Sequence, residues 1–140
     1  MVLPSLRATQ ILAQALLNRI PKGALLILSG DLGIGKTTLT QQIGLALGTK
    51  ANISSPTYTL IHEYPTLEGM LVHIDAYRLT EAKMLVDMGL DDYLAKARLV
   101  VVEWGEGLQE LYKDSWLLKL SISEGIRYAK LVYQGKIINI

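Results

Sequence analysis

The clearest chemical pattern in the chain is a set of glycines followed by a lysine and two threonines. The stretch reads Gly30-Asp31-Leu32-Gly33-Ile34-Gly35-Lys36-Thr37, with Thr38 next, and it fits the phosphate-binding pattern G-x-x-x-x-G-K-[S/T]. The glycines permit the backbone angles and the close approach that phosphate oxygens need. The lysine would reach the β- and γ-phosphates of a nucleotide as a point charge, and the Thr37 hydroxyl would be a magnesium ligand.

The elements on either side of this loop are those that a phosphate site requires. Residues 24–28 form an apolar run typical of a buried strand, and residues 38–47 repeat Leu39, Ile43 and Leu47 on one helical face. A strand, a glycine loop and a helix N-terminus in this order direct backbone N–H groups toward one small volume and favour an anion there. The alternative is an ordinary glycine turn, and Lys-Thr at the helix start favours nucleotide binding over it.

Two further apolar runs, residues 71–75 and 99–103, each end in a carboxylate, Asp75 and Glu103. Binding sites of open α/β sheets lie beyond the carboxyl ends of the strands, so both acids would face the phosphates if these strands run parallel to the loop strand. One acid would contact magnesium, directly or through water, and the other would orient or activate the attacking water. The sequence leaves this assignment open, and an acid can also end a strand because the chain has reached solvent.

Several other residues near these runs have two interpretations. Residues 54–58, Ser-Ser-Pro-Thr-Tyr, either sense a γ-phosphate or form a plain polar loop. Arg78 either contacts phosphate or pairs with an acid, and Trp104 either packs in the core or forms a wall of the site. His62 and His73 lie in strand patterns and are interpreted as packed or edge histidines rather than as ligands.

The periodicity predicts an α/β fold, a three-layer P-loop NTPase-like arrangement with a mixed, mainly parallel sheet, in one domain over residues 1–140. Helices are predicted over 5–20, 38–47, 80–88 with a Thr80 cap, 91–94 and 108–112. Strands are predicted over 24–28, 59–64, 70–75, 99–103, 117–122, 128–133 and in a short segment after Gly135. The strands at 59–64 and 70–75 are expected to form an antiparallel hairpin around a turn at 65–69.

Composition excludes several classes of function. The 14 basic and 13 acidic residues are spread along the chain, so no polybasic run predicts direct nucleic-acid binding. The absence of cysteine excludes disulfides and thiolate zinc sites. No signal peptide and no apolar stretch long enough for a membrane span is found, so a cytoplasmic location is expected.

The class of nucleotide enzyme can be narrowed further. No Asn-Lys-x-Asp element for reading guanine occurs, which favours ATP over GTP. The arginines at 7, 19, 78, 98 and 127 form no cluster of the kind that a kinase lid carries. A small-metabolite kinase and a nucleotide-gated binding module remain as alternatives to an ATPase.

Taken together, five segments of the chain resemble the TsaE (YjeE) family. They are residues 30–38, then Ser-Pro-Thr-Tyr-Thr-Leu at 55–60, His-Ile-Asp-Ala-Tyr-Arg-Leu at 73–79, Met-Gly-Leu-Asp-Asp-Tyr-Leu at 88–94 and Val-Glu-Trp at 102–104. Their order and spacing agree with the family over roughly residues 5–130. The resemblance implies a small ATPase needed to form N6-threonylcarbamoyladenosine in tRNAs that read codons beginning with A. It also implies that the protein binds a TsaD–TsaB transferase complex and hydrolyses ATP there. On this resemblance, contact with tRNA would occur only through that complex.

The same resemblance assigns roles to individual residues. It implies Thr37 and Glu103 as magnesium ligands, Asp75 as the other functional acid and Lys36 as the lysine of the reaction centre. The implied nucleotide-binding residues are Leu6, Thr9, Leu32, Gly33, Ile34, Gly35, Lys36, Thr37, Thr38, Trp104 and Arg127. Among these, Leu6 and Thr9 would lie near the adenine. ATP and Mg²⁺ are the expected cofactors.

Overall fold

The computed structural model describes residues 1–53, 60–77, 79 and 81–140. Within these residues the helices are α1 (Leu6–Arg19), α2 (Lys36–Leu47), α3 (Lys83–Asp87), α4 (Leu90–Lys96) and α5 (Leu108–Leu111). The strands are β1 (Ala24–Ser29), β2 (Ile61–Thr66), β3 (Gly69–Asp75), β4 (Leu99–Glu103), β5 (Trp116–Ser123), β6 (Ile126–Tyr133) and β7 (Lys136–Ile138).

Local sequence explains the ends of the two long helices. The Ser5 hydroxyl caps α1 by accepting a hydrogen bond from the Ala8 N–H at 3.2 Å. Helix α2 begins directly after Gly35 and ends directly before Gly48, and both glycines have a positive φ, +114° and +89°. Glycine adopts such angles without the steric cost that a Cβ brings. The start of α2 is therefore set by the glycine loop that precedes it.

The described strands form one sheet in the order β2-β3-β4-β1-β5-β6-β7. Strands β3, β4, β1 and β5 pair in parallel at its centre, whereas β2 pairs antiparallel with β3 and β6 antiparallel with β5 and β7. The predicted mixed sheet is confirmed, and its parallel character lies at the centre. The antiparallel hairpin of β2 and β3 is confirmed as well.

Helices cover both faces of this sheet, which confirms the three-layer arrangement. Side chains alternate between the faces along β1, as the pleat of a strand requires. Leu26 and Leu28 belong to the apolar cluster that includes α1 and α2. Leu25 and Ile27 belong to the opposite cluster, which includes residues of α3, α4 and α5. The central strands are thus buried on both sides, as their continuous apolar runs predict.

Several predicted boundaries are displaced: α4 is longer than the predicted 91–94, β6 begins at Ile126 and not at 128, and larger changes concern β2 and α3. Strand β2 continues to Thr66 and includes Pro65, so the predicted turn at 65–69 is shorter than expected. Proline fits here because β2 is at the edge of the sheet, where a missing backbone N–H leaves no neighbouring strand unpaired. Helix α3 is shorter than the predicted 80–88 and starts after Ala82, while the Thr80 cap prediction concerns a residue outside those described. No helix in the described part of the chain has the length and apolarity to cross a membrane.

Candidate functional site

A cleft of about 280 Å³ opens where β1, β3 and β4 end and α2 begins. The residues lining it come from the glycine loop, from the start of α2 and from the ends of the two acid-bearing strands. They are Leu32, Gly33, Gly35, Lys36, Thr37, Thr38, Asp75, Glu103 and Trp104. Because parallel strands carry their carboxyl ends to one edge of the sheet, residues far apart in sequence meet in this cleft.

The loop backbone is held in place by a residue from a distant strand. The Nη1 atom of Arg127 on β6 donates to the Ile34 carbonyl at 3.4 Å. A Cβ at Gly35 would lie 2.9 Å from the same nitrogen, so a side chain at this position would displace the guanidinium. Ile34 itself points into the core beneath the loop and is 9% exposed. Gly35 is therefore favoured by its backbone angle, since a Cβ at this φ is strained, whereas the Arg127 guanidinium could move aside.

Lys36 is the charged side chain at the centre of the cleft. It is only 4% exposed, and its Nζ donates to the Gly30 carbonyl at 2.6 Å. The same ammonium lies 3.5 Å from the centroid of the Trp104 ring, a cation–π contact. Burial lowers the pKa of Lys36 from its ordinary value, and the nearby carboxylates, Glu103 foremost, oppose that shift. An anion entering the cleft would meet a cation that has already lost most of its water.

Glu103 connects the loop helix to the neighbouring strand. It is 4% exposed, and its Oε2 atom accepts a hydrogen bond from the Thr37 hydroxyl at 3.4 Å. The same oxygen lies 2.5 Å from Nε2 of His73, which is fully buried. His73 is thus packed, as its strand pattern indicates, but its contact with this acid was not predicted. The sequence does contain an indication of this contact: His73 and Asp75 are two residues apart on one strand, so their side chains lie on the same face of the sheet.

Asp75 lies opposite Glu103 in the parallel register of β3 and β4. Its Oδ1 accepts the backbone N–H of Tyr77 at 2.9 Å, which orients the carboxylate at the end of the strand. The backbone N–H of Ala76, between Asp75 and Tyr77, donates to the Glu103 carbonyl at 2.9 Å. This bond extends the pairing of β3 with β4 by one residue past the end of β3. Both acids consequently face the same cleft from adjacent strands.

Trp104 forms one wall of the cleft and has an unusual backbone. Its φ is +62°, a left-handed conformation that is uncommon for a residue with a bulky side chain. The rings of Trp104 and Tyr77 pack edge to face, with their centroids 5.1 Å apart. This backbone turn directs the ring back over Lys36 instead of continuing the line of β4, and such strain is concentrated at functional sites.

Four of the predicted nucleotide-binding residues lie away from the lining of the cleft. Ile34 is in the core, and Arg127 contacts the loop backbone at the Ile34 carbonyl but does not line the cleft. On α1, Leu6 is 53% exposed and Thr9 is buried, and neither lines the cleft. Their predicted position near an adenine remains a prediction. Residues 54–59 and Arg78 lie outside the described part of the chain, so the predictions on them have no structural counterpart here.

The donor set of the cleft fits magnesium. The Thr37 hydroxyl and the Glu103 carboxylate are hard oxygen ligands, and their Oγ1 and Oε2 atoms lie 3.4 Å apart. Among the described residues no group of three or more His, Asp or Glu side chains is placed to hold a metal. Magnesium is commonly held by one or two protein oxygens together with phosphate oxygens and water, so a sparse donor set beside a phosphate loop suits it.

A family model and the curated relatives described below all point to the same protein family. The family model described as "Threonylcarbamoyl adenosine biosynthesis protein TsaE" matches residues 3–130. The tRNA threonylcarbamoyladenosine biosynthesis protein TsaE of Streptomyces coelicolor is 41% identical over 118 residues, which cover 81% of this chain and 79% of the relative. The protein of the same name from Haemophilus influenzae is 39% identical over 97 residues, 69% of this chain. That match spans only 61% of the Haemophilus protein.

A solved structure shares the fold across nearly the whole chain. The crystal structure of YdiB from Bacillus subtilis matches with a TM-score of 0.77 and 25% sequence identity. The match covers 96% of this chain and 84% of that one. The arrangement of sheet and helices described above is therefore that of a known structure.

Proposed function

The chain belongs to the TsaE family of threonylcarbamoyl adenosine biosynthesis proteins, and from this we propose that it is a Mg²⁺-dependent ATPase serving that modification of tRNA. The observation that carries the proposal is the convergence of Lys36, Thr37 and Glu103 in one cleft at the start of α2. A lysine, a hydroxyl and a carboxylate beside a glycine loop are the groups that bind a nucleoside triphosphate with its metal.

The binding step follows from the loop. The triphosphate of ATP would lie against the backbone N–H groups between Gly33 and Thr38, at the positive end of the α2 dipole. Lys36 would exchange its bond to the Gly30 carbonyl for phosphate oxygens, which is favourable because two charged partners replace a charge and a dipole. The ring of Trp104 would keep water away from one side of the ammonium.

Asp75 and Glu103 have different roles in the chemical step of this proposal. Thr37 and Glu103 are the residues that would hold Mg²⁺, which when bound neutralises charge developing on the phosphate oxygens. Asp75, which has no hydrogen bond to Thr37 among the described contacts, would orient a water molecule for attack on the γ-phosphorus. The new P–O bond forms as the bond to the bridging oxygen breaks, and the water proton passes to the Asp75 carboxylate. The products are ADP and inorganic phosphate.

The partner in this proposal is the TsaD–TsaB complex. The family role in making threonylcarbamoyl adenosine supports it, since hydrolysis by this chain does not itself transfer a group to tRNA. On this proposal the chain meets tRNA only through the complex. Its near-neutral balance of 14 basic and 13 acidic residues agrees with a protein that does not hold RNA alone.

The test is ATP hydrolysis by the purified chain with and without purified TsaD–TsaB. We expect slow release of inorganic phosphate alone, a clear increase with the complex, and loss of both in the Lys36→Ala variant. Transfer of labelled γ-phosphate to a small acceptor would instead identify a kinase. Binding of ATP with no turnover under either condition would identify a nucleotide-gated binding module. Normal levels of the modified adenosine in cells depleted of the protein, with no second copy present, would contradict the pathway assignment.

A further inference from the structure

We propose that His73 is a positioning residue that fixes the Glu103 carboxylate for cation binding. This inference rests on the proposed function, because it assigns a role toward the Mg²⁺ that Glu103 and Thr37 would hold. His73 lies on β3 at the register position opposite Val101, two residues before the pairing of Asp75 with Glu103. Its ring therefore reaches diagonally across to the next strand and touches the side chain at the end of β4.

The contact restricts how Glu103 can turn. An ionised carboxylate only accepts hydrogen bonds, so the 2.5 Å approach of Nε2 to Oε2 requires the proton on Nε2. The Thr37 hydroxyl donates to the same Oε2 atom at 3.4 Å. Two donors from different elements thus converge on one oxygen, and the other oxygen, Oε1, has no hydrogen bond within the described part of the chain. The carboxylate is held with one oxygen occupied and one available to a cation.

The environment of His73 shows that apolar packing does not explain the residue. The ring is fully buried in a strand whose neighbouring residues are Leu71, Val72 and Ile74. Its second nitrogen, Nδ1, is buried without a hydrogen-bond partner among the described residues. An apolar side chain would avoid this unpaired polar atom. The contact with Glu103 is the polar interaction that the buried ring makes, and it acts on a proposed metal ligand.

This arrangement resembles what outer-shell groups do at metal sites. A hydrogen bond to a ligating carboxylate fixes its rotamer before the cation arrives, and losing such a partner typically weakens metal binding or activity by roughly 10–100-fold. His73 would therefore act on the metal-dependent part of nucleotide binding. It would leave the contacts of the glycine loop and Lys36 with phosphate unchanged, because those groups do not touch it.

The experiment measures binding of a fluorescent N-methylanthraniloyl derivative of ADP as Mg²⁺ is titrated, and again in EDTA. The variants are His73→Leu, His73→Gln, His73→Asn and Glu103→Gln, and melting curves establish that each is folded. His62→Gln is the matched control: His62 is the other histidine of the same hairpin, register-paired with His73, and its Nδ1 contacts the Tyr64 hydroxyl at 3.0 Å.

For His73→Leu we expect the Mg²⁺ concentration at half-saturation to rise about tenfold or more, with affinity in EDTA unchanged within about twofold. His73→Gln should stay close to the unmodified protein, because its amide nitrogen can occupy the place of Nε2. His73→Asn should raise the Mg²⁺ concentration at half-saturation as His73→Leu does, because the shorter asparagine amide reaches only the place of Nδ1. His62→Gln should leave the Mg²⁺ concentration at half-saturation unchanged.

Three results would overturn the inference. The first is a His73→Leu titration equal to that of the unmodified protein. The second is an equal loss of affinity with and without Mg²⁺, which would show general damage to the site. The third, decisive if His73→Leu does not fold, is identical behaviour of His73→Gln and His73→Asn. If the unmodified protein binds the nucleotide with no response to Mg²⁺, the metal role in the proposed function fails, and this inference fails with it.

Discussion

Asp75 and Glu103 are register partners at the ends of adjacent parallel strands, yet among the described contacts Glu103 alone touches the Thr37 hydroxyl. The two acids share a cleft but have different environments. Glu103 is 4% exposed and shares its Oε2 between Thr37 and His73. Asp75 is bound to the backbone N–H of Tyr77 and is more open. The strand-end pattern alone leaves the roles of these acids open and the family resemblance implies Glu103 as the metal ligand; the structure gives the two acids different environments.

The first prediction separates the two roles. Glu103→Gln should weaken the Mg²⁺-dependent part of nucleotide binding, because an amide is a poorer ligand for a hard cation than a carboxylate. Asp75→Asn should bind nucleotide within about twofold of the unmodified protein while hydrolysis falls by roughly 10²–10⁴-fold, the usual contribution of a positioned base. Nucleotide binding and phosphate release in the presence of TsaD–TsaB measure the two effects. The reverse pattern would exchange the roles of the two acids.

The second prediction concerns Gly35. Gly35→Ala places a Cβ at a φ of +114° and 2.9 Å from Arg127 Nη1. We expect a loss of about 1–3 kcal/mol in the free energy of unfolding from backbone strain. We also expect a large loss of nucleotide affinity, because the strained φ lies in the loop that lines the cleft and relieving it moves the loop backbone. Thermal melting and nucleotide titration are the measurements.

A matched control exists for this substitution. Gly125, in the turn between β5 and β6, also has a positive φ, +78°, and a Cβ there would meet nothing within 4 Å. Gly125→Ala should cost stability through the same backbone effect and leave nucleotide affinity unchanged. Equal losses of affinity in both variants would show that stability, and not loop geometry, limits binding.

The third prediction uses the two tryptophans of the chain. Trp104 lies over Lys36 in the cleft, whereas Trp116 is buried and stacked on Tyr133 with ring centroids 4.1 Å apart. Binding of a nucleotide should therefore change the emission of Trp104 only. The change should vanish in Trp104→Phe and persist in Trp116→Phe. Persistence of the signal in Trp104→Phe would place the nucleotide elsewhere.

The fourth prediction is a pH dependence at a contact far from the cleft. The Tyr112 hydroxyl donates to Asp91 Oδ1 at 2.7 Å. Burial first, and then the hydrogen bond and charge of Asp91, raise the pKa of Tyr112 to about 12. A phenol whose pKa is raised by folding stabilises the protein fully below its unfolded pKa of about 10. That contribution is lost as the pH rises through about 12.

The measurement compares the unmodified protein with Tyr112→Phe in urea unfolding at several pH values. Near pH 8 the unmodified protein should be more stable, by no more than about 1 kcal/mol because the contact is at the surface. The difference should shrink from about pH 10 upward as the phenol of the unfolded chain ionises first. A difference that does not change with pH would mean that the hydrogen bond makes no contribution.

The sequence predicts most of the secondary structure because its signals are local. The apolar run of β1, the glycines at 33 and 35 and the apolar periodicity of α1 each act within a few residues of themselves. Some displaced boundaries belong to short elements such as α3, where the structure leaves Glu81, Ala82 and Met88 of the predicted range outside the helix. In such elements tertiary packing, and not intrinsic preference, decides where the helix starts.

The sequence by itself determined the family, the glycine-rich loop between a strand and a helix, and two acids at the ends of apolar strands. Only the tertiary structure decided which side chains touch. Thr37 meets Glu103 across 66 positions of the chain, His73 meets it across 30, and Arg127 reaches the loop across 93. The physical reason is that a hydrogen bond requires its donor and acceptor atoms within roughly 3.5 Å, whereas a shift of one residue in strand register turns every side chain to the other face. The contact of His73 with Glu103 and the pairing of Glu103 with Asp75 therefore depend on the register of β3 against β4, which no local pattern specifies.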